Sequence, residues 1–366
     1  MSGMTWKSRL ADIPFGKKLL VVLNAVLLLA CAASSLGLQA VGSTFETVTA
    51  ADRFRGESDT RFAQLACFLP VGKGKSEEDI WSLREKLDAK FVEQSLTAPE
   101  GGSLYMDAYS ARGKISVTTD HASAEVSGFG VGGDFFHFHP LRLRSGTYIA
   151  ERDLMDDLVV LDEALAWRFF GGVELSGMTL YINGEPFVVA GVVAMEDDFA
   201  AQRALTEEGT MFLSYSALAR LDDSLSIDCY EIVMPDPISG YARGVMEELM
   251  GADGGTIVEN SGRFSPVRLL DMILRFGERS MRTGAVVYPY WENALRIAED
   301  HAALLAVLVV ITAMCPVITL AVLIVRGIMC FWRFVRREVP ERLGGMIERS
   351  REKRYARLKA QDREGE

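Results

Sequence analysis

Residues Ala302–Val325 read AALLAVLVVITAMCPVITLAVLIV, 24 positions without a charged side chain. At a rise of about 1.5 Å per residue, such a helix crosses a hydrocarbon core about 30 Å thick with some tilt. Core helices of soluble domains rarely run this long without a charge, so the stretch reads as a membrane span. Pro316 lies near its middle and predicts a kink, which membrane helices tolerate.

Working outward, a weaker apolar stretch, Leu19–Val41, reads LLVVLNAVLLLACAASSLGLQAV and contains Asn24, Ser34, Ser35 and Gln39. A retained anchor, a cleaved signal peptide and a lipoprotein signal ending at Leu28-Leu29-Ala30-Cys31 compete for it. The stretch is longer than a usual signal core and follows 18 residues of lead, so retention is the expectation.

Basic flanks stay in the cytoplasm. Before the first span, Lys7, Arg9, Lys17 and Lys18 face only Asp12, a net +3. Residues 326–366 hold twelve Lys/Arg and seven Asp/Glu, a net +5, and removing both from −11 leaves −19 for the middle. The expected layout is a cytoplasmic N-terminus at 1–18, a transmembrane helix at 19–41 and an extracytoplasmic domain at 42–301. A second transmembrane helix at 302–325 and a basic cytoplasmic tail at 326–366 complete it. An acidic exported domain argues against nucleic acid or anionic lipid as its ligand. Cys67 and Cys229 fall in the exported part, where a disulfide is permitted but not required.

Within the domain, residues 42–60 are polar and are expected to lead away from the membrane. Ala63–Val71 reads as a strand, and Ser76 with Asp79 makes a capping box before the helical spacing of Ile80, Leu83, Leu87 and Phe91. Gly102–Ala108 reads as the next strand. The same form returns as strand Asp228–Met234, a turn with an N-cap over Pro235–Ser239, helix Tyr241–Met250 and strand Thr256–Glu259. Two distant β-α-β units imply one α+β layer with an insertion. The insertion, about 145–226, contains a short helix, Asp162–Phe169. After it, Asn183-Gly184 stands between Met178–Ile182 and Phe187–Val193, a strong hairpin signal. From Ser265 to His301 the pattern is mixed and mostly helical. Tyr288, Tyr290 and Trp291 suit either an aromatic collar at the outer interface or core packing.

The stretch Gly130–Ala194 resembles the periplasmic core domain of MacB-like and FtsX-like ABC transporter permeases. The resemblance is carried by Gly130-Val131, Asp134-Phe135-Phe136, Leu141–Gly146, Glu151, Asp153 and Val159-Val160-Leu161. Ala166, Phe169–Gly171, Gly177, Ile182-Asn183-Gly184, Phe187 and Val189–Val192 continue it. It implies an α+β fold with a porter-like subdomain built from the β-α-β units and a small inserted β-rich subdomain, held between two transmembrane helices. It covers 60–225 well and 226–300 loosely. Family permeases carry three membrane helices after this domain and depend on a separate ATPase. One span follows it here, so the chain looks like the exported part of such a permease on a minimal anchor.

Other motifs read plainly. Gly72-Lys73-Gly74-Lys75-Ser76 lacks the first Gly of a P-loop, since that position is Leu69, and reads as an N-capped turn. Gly128-x-Gly130-x-x-Gly133 opens no helix and reads as a tight loop. In a strand, His137 and His139 would share a face, but no Cys stands near them to complete a zinc site. Asp153-Asp156-Asp157 and Glu196-Asp197-Asp198 lack EF-hand spacing and read as a solvated acidic face. No catalytic residue, cofactor or metal is expected. Arg333, Arg336 and Arg337 in the tail suit lipid headgroups or contact with a cytoplasmic partner. The expected function is that of an accessory or degenerate permease subunit, partnered by an ABC ATPase and a full permease subunit. The alternative is an independent membrane-anchored receptor whose ectodomain binds a ligand.

Overall fold

The computed structural model describes residues 14–56, 59–96, 98, 102–205, 209–251, 254–275, 282–283 and 286–363, with side chains except at 282–283 and 337–363. Two compact units divide the chain: residues 1–37 with 305–366, and residues 38–304.

In chain order the elements are α1 (Phe15–Thr44), α2 (Ala50–Arg55), β1 (Phe62–Phe68), α3 (Glu77–Glu93), β2 (Met106–Thr118), β3 (Ser123–Gly133), α4 (Phe135–Phe138) and β4 (Arg142–Gly146). The insertion continues with β5 (Leu158–Asp162), α5 (Glu163–Phe170), β6 (Thr179–Ile182), β7 (Glu185–Ala194), α6 (Ala201–Ala204), β8 (Thr210–Ser214) and α7 (Tyr215–Leu221). Then come β9 (Cys229–Pro235), α8 (Tyr241–Met250), β10 (Thr256–Glu259), α9 (Pro266–Leu274) and α10 (Tyr290–Arg363).

Four strands make the first half of the domain, in the order β10-β1-β9-β2 with every neighbour antiparallel. Strands β1 and β2 are therefore parallel with β9 between them, and β9 and β10 are parallel with β1 between them. These are two interlocked split β-α-β units, a ferredoxin-like layer. On one face, Leu65, Tyr230 and Ile232 meet Ile80, Leu87 and Phe91 of α3 and Val245 and Met246 of α8. Helix α3 starts where the sequence placed it: Ser76 Oγ accepts from Asp79 N at 3.2 Å, and Asp79 Oδ2 accepts from Ser76 N at 3.0 Å. Helix α8 differs from expectation. Its N-cap is Gly240, without a side-chain bond, and Asp236 Oδ1 accepts from Ala242 N at 3.1 Å instead.

The second half is a closed ring. Strand β2 pairs β3, then β8, β5, β7 and β6 follow, and β6 returns to β2 through Val117↔Ile182. Ile115, Val126, Leu161, Leu180, Phe187 and Leu213 fill its interior, as side chains do in a small barrel. The strand expected at 102–108 is in fact the opening of β2, which runs on to Thr118 because Ser110 pairs β9 while Val117 reaches β6. With β3 it belongs to both halves, so the ring draws on strands well before residue 145. Asp162 closes the ring by capping α5 at Leu165 N, 2.7 Å, and accepting from Thr210 N at 2.6 Å.

The described residues of the polar stretch 42–60 pack into the domain. Phe45, Ala50 and Ala51 are buried in the core. Buried Gln64 of β1 accepts from Ala50 N at 3.1 Å and donates to Thr47 O at 2.6 Å. Tyr288, Tyr290 and Trp291 are likewise core residues: Tyr288 meets Phe68 edge-on at 5.1 Å, and Trp291 packs on Phe129 and Phe135. They form no collar. Cys67 and Cys229 are free. Cys67 stands opposite Tyr230, and Cys229 opposite Phe68. Alternation along the strands therefore turns the two thiols to opposite faces of the sheet, and no disulfide can join them.

Helices α1 and α10, whose residues 15–37 and 305–363 belong to the other unit, are the two helices long and apolar enough to cross a membrane among the described residues. They approach closely: a Cβ on Gly37 would meet Leu305 Cδ1 at 3.5 Å, and Cys31 Sγ lies 3.9 Å from Val309 O. Helix α10 continues through Pro316 without interruption.

Candidate functional site

The halves meet where β3 ends. Gly133 has φ of +66°, and a Cβ there would sit 2.4 Å from Asp107 O, so only glycine fits. Two cavities flank this point and share Gly133, Phe135, Ile149 and Ala150. The larger, about 490 Å³, is lined by Arg53, Phe136, Tyr148 and Arg152, with the two rings stacked at 4.7 Å. The smaller, about 50 Å³, carries Glu77, Tyr109, Glu151 and Asp153.

A polar network ties the two sides of this cleft. Arg84 of α3 grips Asp107 of β2 with Nε and Nη2, at 2.8 and 3.0 Å, and Glu151 with Nη1 and Nη2, at 3.0 and 3.2 Å. Tyr230 OH donates to Asp107 at 2.9 Å, and Tyr109 OH donates to Glu77 at 2.8 Å. Burial opposes the Arg84 charge, but Asp107 and Glu151 outweigh it and hold the guanidinium above its ordinary value. Burial, joined by Glu151 and Glu77, pushes the Tyr109 hydroxyl up. Asp134 nearby is raised by burial first, with Asp107 and Glu151 adding to it. Each carboxylate of the network is occupied by a cation or a hydroxyl. The arrangement is a latch between α3 and the 149–153 loop, and it contains no activated nucleophile.

A second polar centre lies in the core. His139 Nε2 is 2.5 Å from Glu231 Oε2, both buried, and the imidazole packs between Phe135 and Trp291, each ring centroid 4.6 Å away. His137 and His139 lie at the end of α4, not in a strand, and their alternation therefore has no zinc geometry. Glu196 accepts from Tyr290 OH at 3.4 Å, and burial raises its carboxyl.

A third centre joins the end of the sheet to α10. Buried Arg263 donates to Glu292 at 2.7 and 2.9 Å, to Glu299 at 2.8 and 3.3 Å, and to Asn260 at 2.9 Å. All five of its N–H donors are used. Burial works against this charge as well, and the two glutamates outweigh it. Arg296 adds a bond to Glu292 at 2.7 Å and lies 3.6 Å over the Tyr288 ring.

The sequence-derived candidates fall elsewhere. Arg333 and Arg336 are exposed on α10, with Arg336 6.0 Å from the Trp332 ring, and the Arg337 side chain lies outside the described residues. The Gly72–Ser76 segment is the capped turn before α3. Gly128–Gly133 lies inside β3, paired with β2 from Gly113 to Ala108, so no helix opens on it to hold a phosphate. Asp153 and Asp198 cap turns, accepting from Ala150 N and Ala200 N, each at 2.8 Å. No group of three or more metal-ligating side chains occurs among the described residues. Arg84, Asp107 and Arg263 went unnoticed in the sequence, and Glu151 entered only through the resemblance, because their ion-pair partners stand 23 to 67 positions away and no spacing marks them.

No curated protein matches the chain. Among solved structures it is similar to the periplasmic region of MacB from Actinobacillus actinomycetemcomitans, at 19% identity and TM-score 0.39, covering 60% of this chain and 94% of that one. It is also similar to the extracellular domain of the noncanonic ABC-type transporter YknZ from Gram-positive bacteria, at 14% identity and TM-score 0.37, covering 54% and 99%. A domain of a putative permease protein from Porphyromonas gingivalis follows at 13% identity and TM-score 0.30, covering 56% and 91%. The family model of the MacB-like periplasmic core domain matches residues 36–237, more than half of the sequence. The chain therefore belongs to the family of proteins with a MacB-like periplasmic core domain, carried here between two candidate membrane helices.

Proposed function

We propose that this protein is an accessory or degenerate permease subunit of a MacB/FtsX-type ABC system, working by binding and motion beside a separate ABC ATPase and a full permease subunit. The observation that carries this reading is the family domain at 36–237 set between α1 and α10. In this reading both termini are cytoplasmic and the domain is extracytoplasmic, as the basic flanks require. The Arg263 centre supports a mechanical role, since it fastens the β10–α9 loop to the first turns of a helix whose later residues form the second apolar span. The thiols support a non-catalytic one. Burial pushes Cys67 up to about 12 and Cys229 well above its ordinary value, so neither is a thiolate nucleophile at neutral pH. The contact of Cys31 with Val309 supports retention of the first helix.

The test is extraction of the tagged chain from native membranes in mild detergent. An ABC ATPase or a complete permease should co-purify. R333E/R336E/R337E should reduce that recovery severalfold if the tail docks on the partner, and leave it unchanged if the arginines only meet lipid. Repeated recovery of the chain without any ABC component would overturn the proposal in favour of an independent receptor.

A further inference from the structure

We infer that α9 lies in the outer headgroup region of the membrane with its apolar outer face against lipid, an inference that rests on the two-span reading. The helix has nine residues, PVRLLDMIL. Its inner side is accounted for by Leu269, which is 1% exposed, and by half-buried Met272 and Ile273. The outer side is also apolar: Val267, Leu270 and Leu274 are 79%, 57% and 77% exposed. Spacings of three and four place them in one stripe along the helix. The polar residues of α9 are paired within the domain, Arg268 with Glu259 at 2.7 Å and Asp271 with Arg275 at 3.1 Å.

What covers the stripe follows from where α9 begins. Phe264, two residues before Pro266, stacks on Phe45 at 5.9 Å, and a Cβ on Gly42 would meet its Cβ at 3.6 Å. Val41, Phe45 and Phe264 belong to one apolar cluster. Val41 is the last residue of the first apolar stretch, so α9 starts at the level where the chain leaves the hydrocarbon. The aromatic residues near the second span, Tyr288, Tyr290 and Trp291, are buried and take no part in anchoring. An apolar helix face at that level is the feature an interfacial helix buries, about 5–10 Å deep. The acidic domain gains nothing from anionic headgroups, so the contact is one of apolar burial and needs no charged lipid.

The experiment uses the full chain in phosphatidylcholine nanodiscs, with Cys31, Cys315 and Cys330 replaced by Ala and the buried Cys67 and Cys229 retained. Nitroxide labels are placed singly on Leu270→Cys, Leu274→Cys, Leu36→Cys and Val71→Cys, and accessibility to oxygen is compared with accessibility to a water-soluble nickel chelate. All four side chains are exposed, so labelling disturbs no core. The labels at 270 and 274 should show an oxygen-to-chelate ratio severalfold above that at Val71, and below that at Leu36. A ratio at 270 and 274 equal to that at Val71, with Leu36 in lipid, overturns the inference while the span stands. Shielding from both reagents also overturns it, because protein then covers the stripe. A water-accessible Leu36 would sink the two-span reading itself.

Discussion

Asn183 and Gly184 have φ of 51° and 91°, the two positive values that a type I′ turn needs. The turn is further pinned by Asn183 Oδ1, which accepts from Ser116 N at 3.0 Å, and by Asn183 N, which donates to Ser116 O at 2.9 Å. Gly184 has open space around it, so Gly184→Val acts through backbone strain alone. It should cost roughly 1–3 kcal/mol, seen as a lower unfolding midpoint of the full chain in detergent. An unchanged midpoint would show that the turn tolerates a β-branched residue. Asp228 illustrates a different residue-scale effect. Burial raises its carboxyl to about 6, with Arg112 only partly offsetting this. A raised carboxylate contributes stability that is complete below its unfolded value, about 3.9, and lost as pH rises through about 6. Between pH of about 4 and about 7, Asp228→Asn should therefore gain on the parent protein by about 1–3 kcal/mol, and the gain should level off above that range. A stability difference that does not change with pH would remove Asp228 from that role.

At the scale of elements, the Arg263 centre is the sharpest test. Arg263 and Glu292 are 3% and 1% exposed, and removing the cation takes the bidentate partner from Glu292, which Arg296 still bonds. Arg263→Met should cost about 3–5 kcal/mol, since one charge of a buried pair is then stranded. Arg263→Lys should recover only part, because an ammonium cannot supply five fixed donors. Equal stability of Arg263→Met and the parent, by chemical unfolding of the full chain, would show that the centre holds nothing. Helix α3, the split β-α-β pairs and the β6–β7 hairpin were legible in the sequence, because capping, period and turn chemistry are local. The extent of β2 was not. Its second half, Gly113–Thr118, alternates like any strand, and only the return of β6 to Val117 shows why it continues.

For the whole molecule, the two-pass layout makes a directional claim. An impermeant thiol reagent applied to intact cells should modify Ser103→Cys, on an exposed loop of the domain, and should leave Ser350→Cys unmodified until the membrane is opened. Labelling of Ser350→Cys from outside would sink that layout, and a lipid-modified Cys31 at a new N-terminus would replace it with a lipoprotein. By itself the sequence determined the apolar spans, the charge asymmetry, the family and most element positions, since each depends on composition or on neighbours a few residues apart. The tertiary structure alone decided the fate of the paired features. It turned Cys67 and Cys229 to opposite faces, buried Tyr288, Tyr290 and Trp291 in the core, and drew Phe45 and Ala50 into the same core. It also brought Arg84 to Glu151 and Arg263 to Glu292. The reason is physical: side-chain facing and ion pairing across 29 to 162 positions follow from strand register and chain return, which no local periodicity encodes.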